Sequence, residues 1–177
     1  MRKKRENRDT ERLPLSELVK LLEYRPTTGE FAWLQRLSAR IQVGDIAGSL
    51  DSKGYNQIMI RGKNYKDHVL AWLFTFGEYP TEDIDHINGK KNDNRVENLR
   101  GSSRTQNLYN TGLREDNTTG HKGVYLRKDT GKYSAYMNIE GKRCSLGCYA
   151  TLDESAGDYR RAAMLYQKEF CHASILK

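Results

Sequence analysis

The fold of this chain is decided by one stretch, Asp85-His86-Ile87-Asn88-Gly89-Lys90-Lys91-Asn92-Asp93-Asn94-Arg95-Val96-Glu97-Asn98-Leu99-Arg100, which is followed by Gln106-Asn107. The stretch is rich in Asn, Asp and Gly and poor in apolar residues. Such a composition inside a folded protein is typical of a loop-rich functional site. It is also typical of a simple cluster of turns. Residue types alone leave both interpretations open.

The polar side chains of this stretch are those that phosphodiester hydrolysis requires. An imidazole can take a proton from water near neutral pH. Carboxylate and amide oxygens suit a hard divalent cation, which neutralises charge on a phosphate. A further polar group must orient the imidazole. Asp85, His86, Asn98 and Asn107 supply these groups, although their spacing alone does not assign the roles.

Composition excludes several classes of protein. The chain has 177 residues, of which 37% are hydrophobic and 30% charged, and its 11 Tyr, 4 Phe and 2 Trp are too many for a disordered chain. No apolar run approaches the roughly 18 residues of a membrane span, and the first residues lack the apolar core of a signal peptide. Three Cys are too few for a disulfide scaffold. We therefore expect a cytoplasmic protein that does not contact membranes.

The charge distribution points to a polyanionic partner. The net charge of +7 includes +3 in residues 1–12 and +4 in residues 117–177, whereas residues 80–116 carry −1. Basic ends around a slightly acidic centre favour nucleic acid as the partner.

Local patterns predict an α+β protein. Leu15, Leu18, Val19 and Leu22 have the spacing of a short amphipathic helix, and the apolar run from His68 to Phe76 predicts a buried helix. Ser103 and Gln106 resemble a capping box that starts a further helix. In the C-terminal part, turn residues separate three predicted strands, and a helix follows: Gly123–Lys128, Lys132–Ile139, Lys142–Tyr149 and the helix Leu152–Phe170, with Ala156, Tyr159, Ala163, Tyr166 and Phe170 on one face.

The central stretch resembles the HNH endonucleases of phages and mobile introns. The resemblance is carried by Asp85–Arg100, by the preceding HVLAWLFTFGEYP, by GDIAG, by Tyr24 with Thr28-Gly29, and by Gln106-Asn107. The C-terminal stretch from Gly120-His-Lys-Gly123 to Leu146-Gly-Cys-Tyr149, with its Ala-rich helix, resembles the AP2 DNA-binding domain. The order of the two is that of a homing endonuclease.

The resemblance implies the domain organisation. We expect a basic tail at 1–12, an HNH nuclease domain at 13–112 with a ββα-metal core at about 83–110, a linker at 113–119 and an AP2-like domain at 120–177. The AP2-like domain would be a small three-stranded sheet plus a helix.

The resemblance also implies roles for the site residues. His86 would be the general base, Asn98 would orient it, and Asp85 and Asn107 would hold Mg²⁺ or another divalent cation such as Mn²⁺. Asn107 stands at the last position of the motif, as in an HNN variant. Neighbours in a regular strand point to opposite faces, so Asp85 and His86 can act on one phosphate only where the backbone is irregular.

We expect double-stranded DNA to contact basic and aromatic side chains near the site and on the sheet face opposite the last helix. The expected DNA-binding residues are Lys90, Lys91, Arg100, Tyr125, Arg127, Lys128, Lys132, Tyr133, Lys142 and Arg143. A solvated sheet face is the alternative.

Cys144 and Cys148 are four residues apart, so a regular strand would place them on one face of the sheet. We interpret them as packing or exposed thiols rather than zinc ligands. His121 and His172 are interpreted as surface residues.

The predicted function is therefore a site-specific HNH homing endonuclease that hydrolyses DNA and nicks one strand per active site, as a monomer or weak dimer. If phage-encoded, it would act in the host cell cytoplasm. A DNA-binding regulator with a degenerate HNH module is the alternative. An RNA-binding protein has less support, because no aromatic RNP signature or Gly-x-x-Gly loop is present.

Overall fold

The computed structural model describes residues 12–139 and 141–175, except for the side chain of Ala173. The predicted basic tail at 1–12 lies outside the described residues except for Arg12. The described chain is α+β, with four α-helices and four small β-sheets. It forms two compact units, one made of residues up to Thr81 together with Lys91–Leu99, and one made of Glu82–Lys90 together with the chain from Arg100 onward. None of the helices in the described ranges combines the length and the apolar character needed to cross a membrane.

The first unit contains two helices and two small sheets. Their bounds are α1 (Leu15–Leu21), β1 (Leu22–Arg25), β2 (Glu30–Trp33), β3 (Ser49–Leu50), β4 (Asn56–Ile60), β5 (Lys63–Lys66) and α2 (Asp67–Phe76), and a 3-10 turn follows at Val96–Asn98. β1 pairs with β2, and β4 lies between β3 and β5. Both helices predicted in this part of the sequence are confirmed.

The core of the first unit forms where α2 packs on β4 and β5. Ile58 and Ile60 of β4 and Leu70 and Leu73 of α2 are almost fully buried, because they occupy the inward positions of a strand and a helix. Phe31 adds an aromatic cluster, since its ring lies 5.3 Å from that of Phe74, edge to face. The apolar periodicity read from the sequence thus identifies real core positions.

Tyr24 and Gly29 hold the loop that precedes the 3-10 turn. The Tyr24 hydroxyl donates to the Asn94 carbonyl oxygen at 2.8 Å, and burial raises the pKa of Tyr24 to about 12. Gly29 has φ of 75°, and a Cβ atom there would lie 2.4 Å from the Arg95 nitrogen. Any side chain at Gly29 would therefore clash with backbone. Tyr24 and Gly29 therefore hold the backbone of this loop at Asn94 and Arg95.

The second unit contains a two-stranded sheet with one helix, then a three-stranded sheet with another. Their bounds are β6 (Asp83–His86), β7 (Leu99–Ser102, whose first residue belongs to the first unit), α3 (Arg104–Tyr109), β8 (Val124–Leu126), β9 (Tyr133–Ile139), β10 (Lys142–Tyr149) and α4 (Leu152–Tyr166). β9 is the central strand, antiparallel to β8 and β10. The order β6, β7, α3 is the ββα order expected at 83–110.

The core of the C-terminal sheet lies between β9 and α4. Ala135 and Met137 face Ala156, Tyr159 and Ala163 of the helix. The capping box at Thr151 and Glu154 fixes the start of α4. The chain leaves the α-helix after Tyr166, and a 3-10 turn at Lys168–Phe170 buries Phe170 instead.

Three details of the C-terminal part differ from the sequence expectation. Tyr166 is 51% exposed, so it is not on the buried face of α4. Tyr133 packs against the core, so it is not on the sheet face opposite the helix. A bulge between Ser145 and Gly147 shifts the register of β10, which pairs Cys144 with Met137 and Cys148 with Ser134. The two thiols therefore lie on opposite faces of the sheet, because one extra residue reverses the alternation.

Asp67 is a carboxyl group buried in the first unit. It is 1% exposed, its Oδ1 atom has no hydrogen bond within the described residues, and burial raises its pKa to about 7. An unfolded Asp ionises near pH 4, whereas the folded one resists ionisation until about pH 7. The folded state therefore binds more protons in this window, and stability falls as the pH rises through it.

We expect Asp67→Asn to stabilise the protein at pH 8 by about 1–3 kcal/mol and to have little effect at pH 4. The measurement is urea unfolding of both proteins across this pH range. Glu78→Gln, which changes an exposed carboxylate of the same unit, is the control and should leave the pH profile unchanged. An identical pH dependence in wild type and Asp67→Asn would show that Asp67 is ionised in the folded protein.

Candidate functional site

The candidate site is built on β6, β7 and α3 of the second unit. β6 and β7 are paired, and α3 packs against β6. The start of α3 is fixed by the predicted capping box, in which the Ser103 side chain accepts from the Gln106 nitrogen and the Gln106 side chain accepts from the Ser103 nitrogen. The helix is thereby placed beside the strand that carries Asp85 and His86.

Asp85 lies at the centre of a buried polar network. It is 4% exposed, and its Oδ2 atom accepts hydrogen bonds from Nε and Nη2 of Arg100 at 2.9 and 2.7 Å. The Nδ2 atom of Asn110 lies 3.1 Å from both carboxylate oxygens and donates at 2.7 Å to the His86 carbonyl oxygen. A buried carboxylate is stable only when it is paired in this way. The network therefore fixes the position of the Asp85 side chain next to His86.

Arg100 is an internal residue and not a surface one. Its side chain is 16% exposed, and its Nη1 atom donates to the Glu169 carbonyl oxygen. Its guanidinium carbon lies 4.0 Å from the centre of the Phe170 ring, a cation–π contact. The sequence predicted a DNA contact here, whereas the structure shows Nε, Nη1 and Nη2 of the guanidinium all engaged within the protein.

Asn110 is a site residue that the sequence interpretation missed. It is 5% exposed and caps the C-terminal end of α3, three residues after Asn107. Residues three apart in a helix share a face, so this spacing is the signal that could have found it. Its contacts make it the link between Asp85 and the backbone of His86.

His86 ends β6 and is 5% exposed. The chain turns directly after it, and the Gly89 nitrogen donates to the His86 carbonyl oxygen at 2.8 Å. Asn98 belongs to the first unit, where it is 6% exposed and its Nδ2 atom donates to the Asp93 carbonyl oxygen at 2.8 Å. The orienting role expected for Asn98 stays a prediction.

The oxygen atoms of this site fit a hard divalent cation. Oδ1 of Asp85 accepts only from Asn110, the half-buried Asn107 amide makes no hydrogen bond with a described residue, and the buried Oδ1 atom of Asn110 also has none. The described residues contain no group of three His, Cys, Asp or Glu side chains that could hold a metal ion. One carboxylate plus an amide is nevertheless a typical protein contribution to a Mg²⁺ site, which keeps several waters and binds substrate phosphate.

Lys122 supports α3 from the C-terminal part of the unit. Its Nζ atom donates to the carbonyl oxygens of Tyr109 and Thr111 at 2.9 and 2.6 Å, at the end of the helix. Burial lowers the pKa of Lys122 to about 8. A cation at this position satisfies carbonyl groups that the helix leaves unpaired.

The other expected DNA-binding residues are distributed over both units. Lys90 is exposed in the second unit, and Lys91, in the first, donates from Nζ to the Lys53 carbonyl oxygen at 3.0 Å. The face of the C-terminal sheet opposite α4 carries Tyr125, Tyr136 and Arg143. The Arg143 guanidinium lies 5.8 Å from the centre of the Tyr125 ring and 4.3 Å from that of the Tyr136 ring. Arg127 pairs with Asp129 in a turn. The remaining expected basic residues, Lys128, Lys132 and Lys142, are exposed.

Comparison with known proteins supports a nuclease. Residues 65–109 match the family model described as HNH endonuclease, so β6, β7 and α3 all fall within this HNH segment. The chain is 28% identical over 115 residues to Protein 3.8 of Escherichia phage T7, an alignment that covers 64% of this chain and 93% of that protein. No solved structure matches the chain.

Proposed function

We propose that this chain is a site-specific, metal-dependent DNA endonuclease of the homing type that cuts one strand of double-stranded DNA per active site. The observation that carries the proposal is the buried network of Asp85, Arg100 and Asn110, which lies beside His86 on the ββα elements of the HNH segment. Burying charged groups costs desolvation free energy, so a buried network of charged and hydrogen-bonded side chains is typical of a functional site.

Each site residue has a role in the proposed hydrolysis. The imidazole of His86 takes a proton from water as the oxygen of that water forms a bond to phosphorus, and the bond from phosphorus to the leaving oxygen breaks. Asn98 would orient His86, the role that the HNH resemblance implies for it. Asp85 and Asn107 would hold Mg²⁺ or Mn²⁺, and this cation would neutralise charge on the phosphate and on the leaving oxygen. Asn110 and Arg100 fix the carboxylate of Asp85.

The supercoiled-plasmid assay tests this function. Pure protein is incubated with plasmid that carries candidate target DNA, in the presence of Mg²⁺ or EDTA. We expect open circles with Mg²⁺ and intact plasmid with EDTA, since one site cuts one strand at a time. Tight binding to DNA without any metal-dependent cleavage would contradict the proposal and favour the alternative, a DNA-binding regulator with a degenerate HNH module.

We further propose that the C-terminal sheet is an AP2-like module that reads DNA with its exposed face. Support comes from the three antiparallel strands followed by a helix and from Arg143, which lies over Tyr125 and Tyr136 on the face opposite α4. The compact units do not divide at the predicted linker 113–119, because residues 82–90 and 100–112 group with the C-terminal sheet. Point substitutions therefore test DNA reading better than truncation.

We expect Arg143→Gln to lower the affinity for target DNA by about 1–3 kcal/mol if Arg143 contacts a base edge, and to affect random DNA much less. The measurement is equilibrium binding of target and scrambled duplexes in EDTA over a series of salt concentrations. Arg161→Gln, which changes an exposed arginine of α4, is the matched control. Equal losses for both duplexes would show that Arg143 contacts phosphate only.

A further inference from the structure

His172 lies beside the turn that follows His86, although it is more than eighty residues away in the sequence and outside the HNH segment. A Cβ atom added to Gly89 would lie 3.3 Å from Nε2 of His172, and one added to Gly112 would lie 3.8 Å from the same nitrogen. The Nε2 edge of the ring therefore borders both glycines. The ring is half-buried, so this edge is held in place but not enclosed.

The hydrogen bonds of the ring fix which nitrogen carries the proton. The Ser174 backbone nitrogen donates to Nδ1 of His172 at 3.1 Å, and the Ser174 hydroxyl lies 2.8 Å from the same atom. Because a backbone N–H can only donate, Nδ1 of the neutral ring is an acceptor and the proton lies on Nε2. Nε2 makes no hydrogen bond with any residue in the described part of the chain.

The surroundings disfavour the protonated form of this imidazole. Burial lowers the pKa of His172, nearby Lys122 lowers it further, and Asp85 raises it. The neutral ring thus presents one N–H donor at the site, without adding a second base.

We propose that the Nε2–H group of His172 donates a hydrogen bond to a backbone phosphate oxygen of the DNA bound beside the Asp85–Gly89 turn. This inference rests on the proposed function. A phosphate bound near His86 would lie beside the turn that His86 begins, and the Nε2 edge of His172 borders this turn at Gly89. An N–H donor already in position is a typical device for stabilising phosphate charge in the transition state.

The first test measures the contact itself without metal. Ring-nitrogen NMR signals of the full-length protein are followed as a duplex is added in EDTA, with the His172 signals assigned from their loss in His172→Gln. We expect the Nε2 signal of His172 to move on DNA binding and the signals of His121, in the same unit, to stay unchanged. An unmoved Nε2 signal at saturating DNA overturns the inference.

The second test measures the consequence for cleavage. His172→Phe keeps the ring without its nitrogens, and His172→Gln keeps an N–H donor near the position of Nε2. We expect single-turnover cleavage to fall about 10–100-fold in His172→Phe, as for a lost hydrogen bond to a charged group, and to recover to within about 3-fold in His172→Gln. Thermal melting identifies a variant that has not folded, in which case the Gln variant and the NMR signals decide.

Equal cleavage rates in His172→Phe and wild type overturn the inference while leaving the proposed function standing. A wild type that never cleaves contradicts the proposed function, and the metal-free NMR experiment then still decides whether His172 contacts DNA.

Discussion

His86→Ala is expected to reduce DNA cleavage about 10²–10⁴-fold, the usual cost of losing a general base, while DNA affinity stays nearly unchanged. Affinity for DNA comes mainly from phosphate contacts made by basic residues elsewhere. The substitution also leaves the neighbouring network in place, because Asn110 donates to the backbone carbonyl of His86 and not to its imidazole. The loss of cleavage would therefore report on the imidazole alone.

The measurement combines plasmid nicking with gel-shift binding in EDTA for wild type and His86→Ala. His121→Ala is the matched control, since it removes a histidine of the same unit that lies outside the candidate site and should leave both readings unchanged. Because His86 is buried, thermal melting must show that the variant is folded. Cleavage by a folded His86→Ala within a few-fold of wild type would exclude His86 as the general base.

Sequence reasoning succeeded where structure is determined locally. The helix at Asp67–Phe76 follows from its apolar run, and α3 begins at Ser103 because the capping box satisfies its first N–H groups. Neither feature depends on distant parts of the chain. The ββα order at the central stretch was likewise predicted, through the resemblance to the HNH family.

What the sequence could not provide are contacts between residues far apart in the chain. Arg100 meets Asp85 across paired strands, and its other partners, Glu169 and Phe170, are nearly seventy residues further on. His172 reaches Gly89 in the same way. From sequence alone, basic and histidine side chains are expected at the surface, because most of them are exposed in folded proteins. Only the tertiary packing shows which of them are internal. The bulge in β10 differs from these contacts, because Gly147 inside the predicted strand is a local signal for a bulge.

Arg100→Met separates the internal role of Arg100 from the DNA contact that the sequence predicted. Removing one partner of a buried ion pair leaves an uncompensated charge, so we expect a loss of about 3–5 kcal/mol in the free energy of unfolding. Arg114→Met is the control, because Arg114 pairs with Asp116 on the surface, where a salt bridge contributes about 0–1 kcal/mol. Urea unfolding at pH 7 measures both.

The double variant Asp85→Asn/Arg100→Met then distinguishes stability from chemistry. Replacing both charges removes the uncompensated carboxylate, so the double variant should be more stable than Arg100→Met by about 2 kcal/mol or more. Cleavage should nevertheless stay absent, or need much more Mg²⁺, because the proposed carboxylate ligand is gone. If Arg100 instead contacts DNA at the surface, Arg100→Met should leave the free energy of unfolding unchanged. The plot of log DNA affinity against log salt concentration should then be shallower by about one unit of slope. That result would mean that Arg100 leaves Asp85 to bind DNA, and that the buried ion pair does not hold the site together in solution.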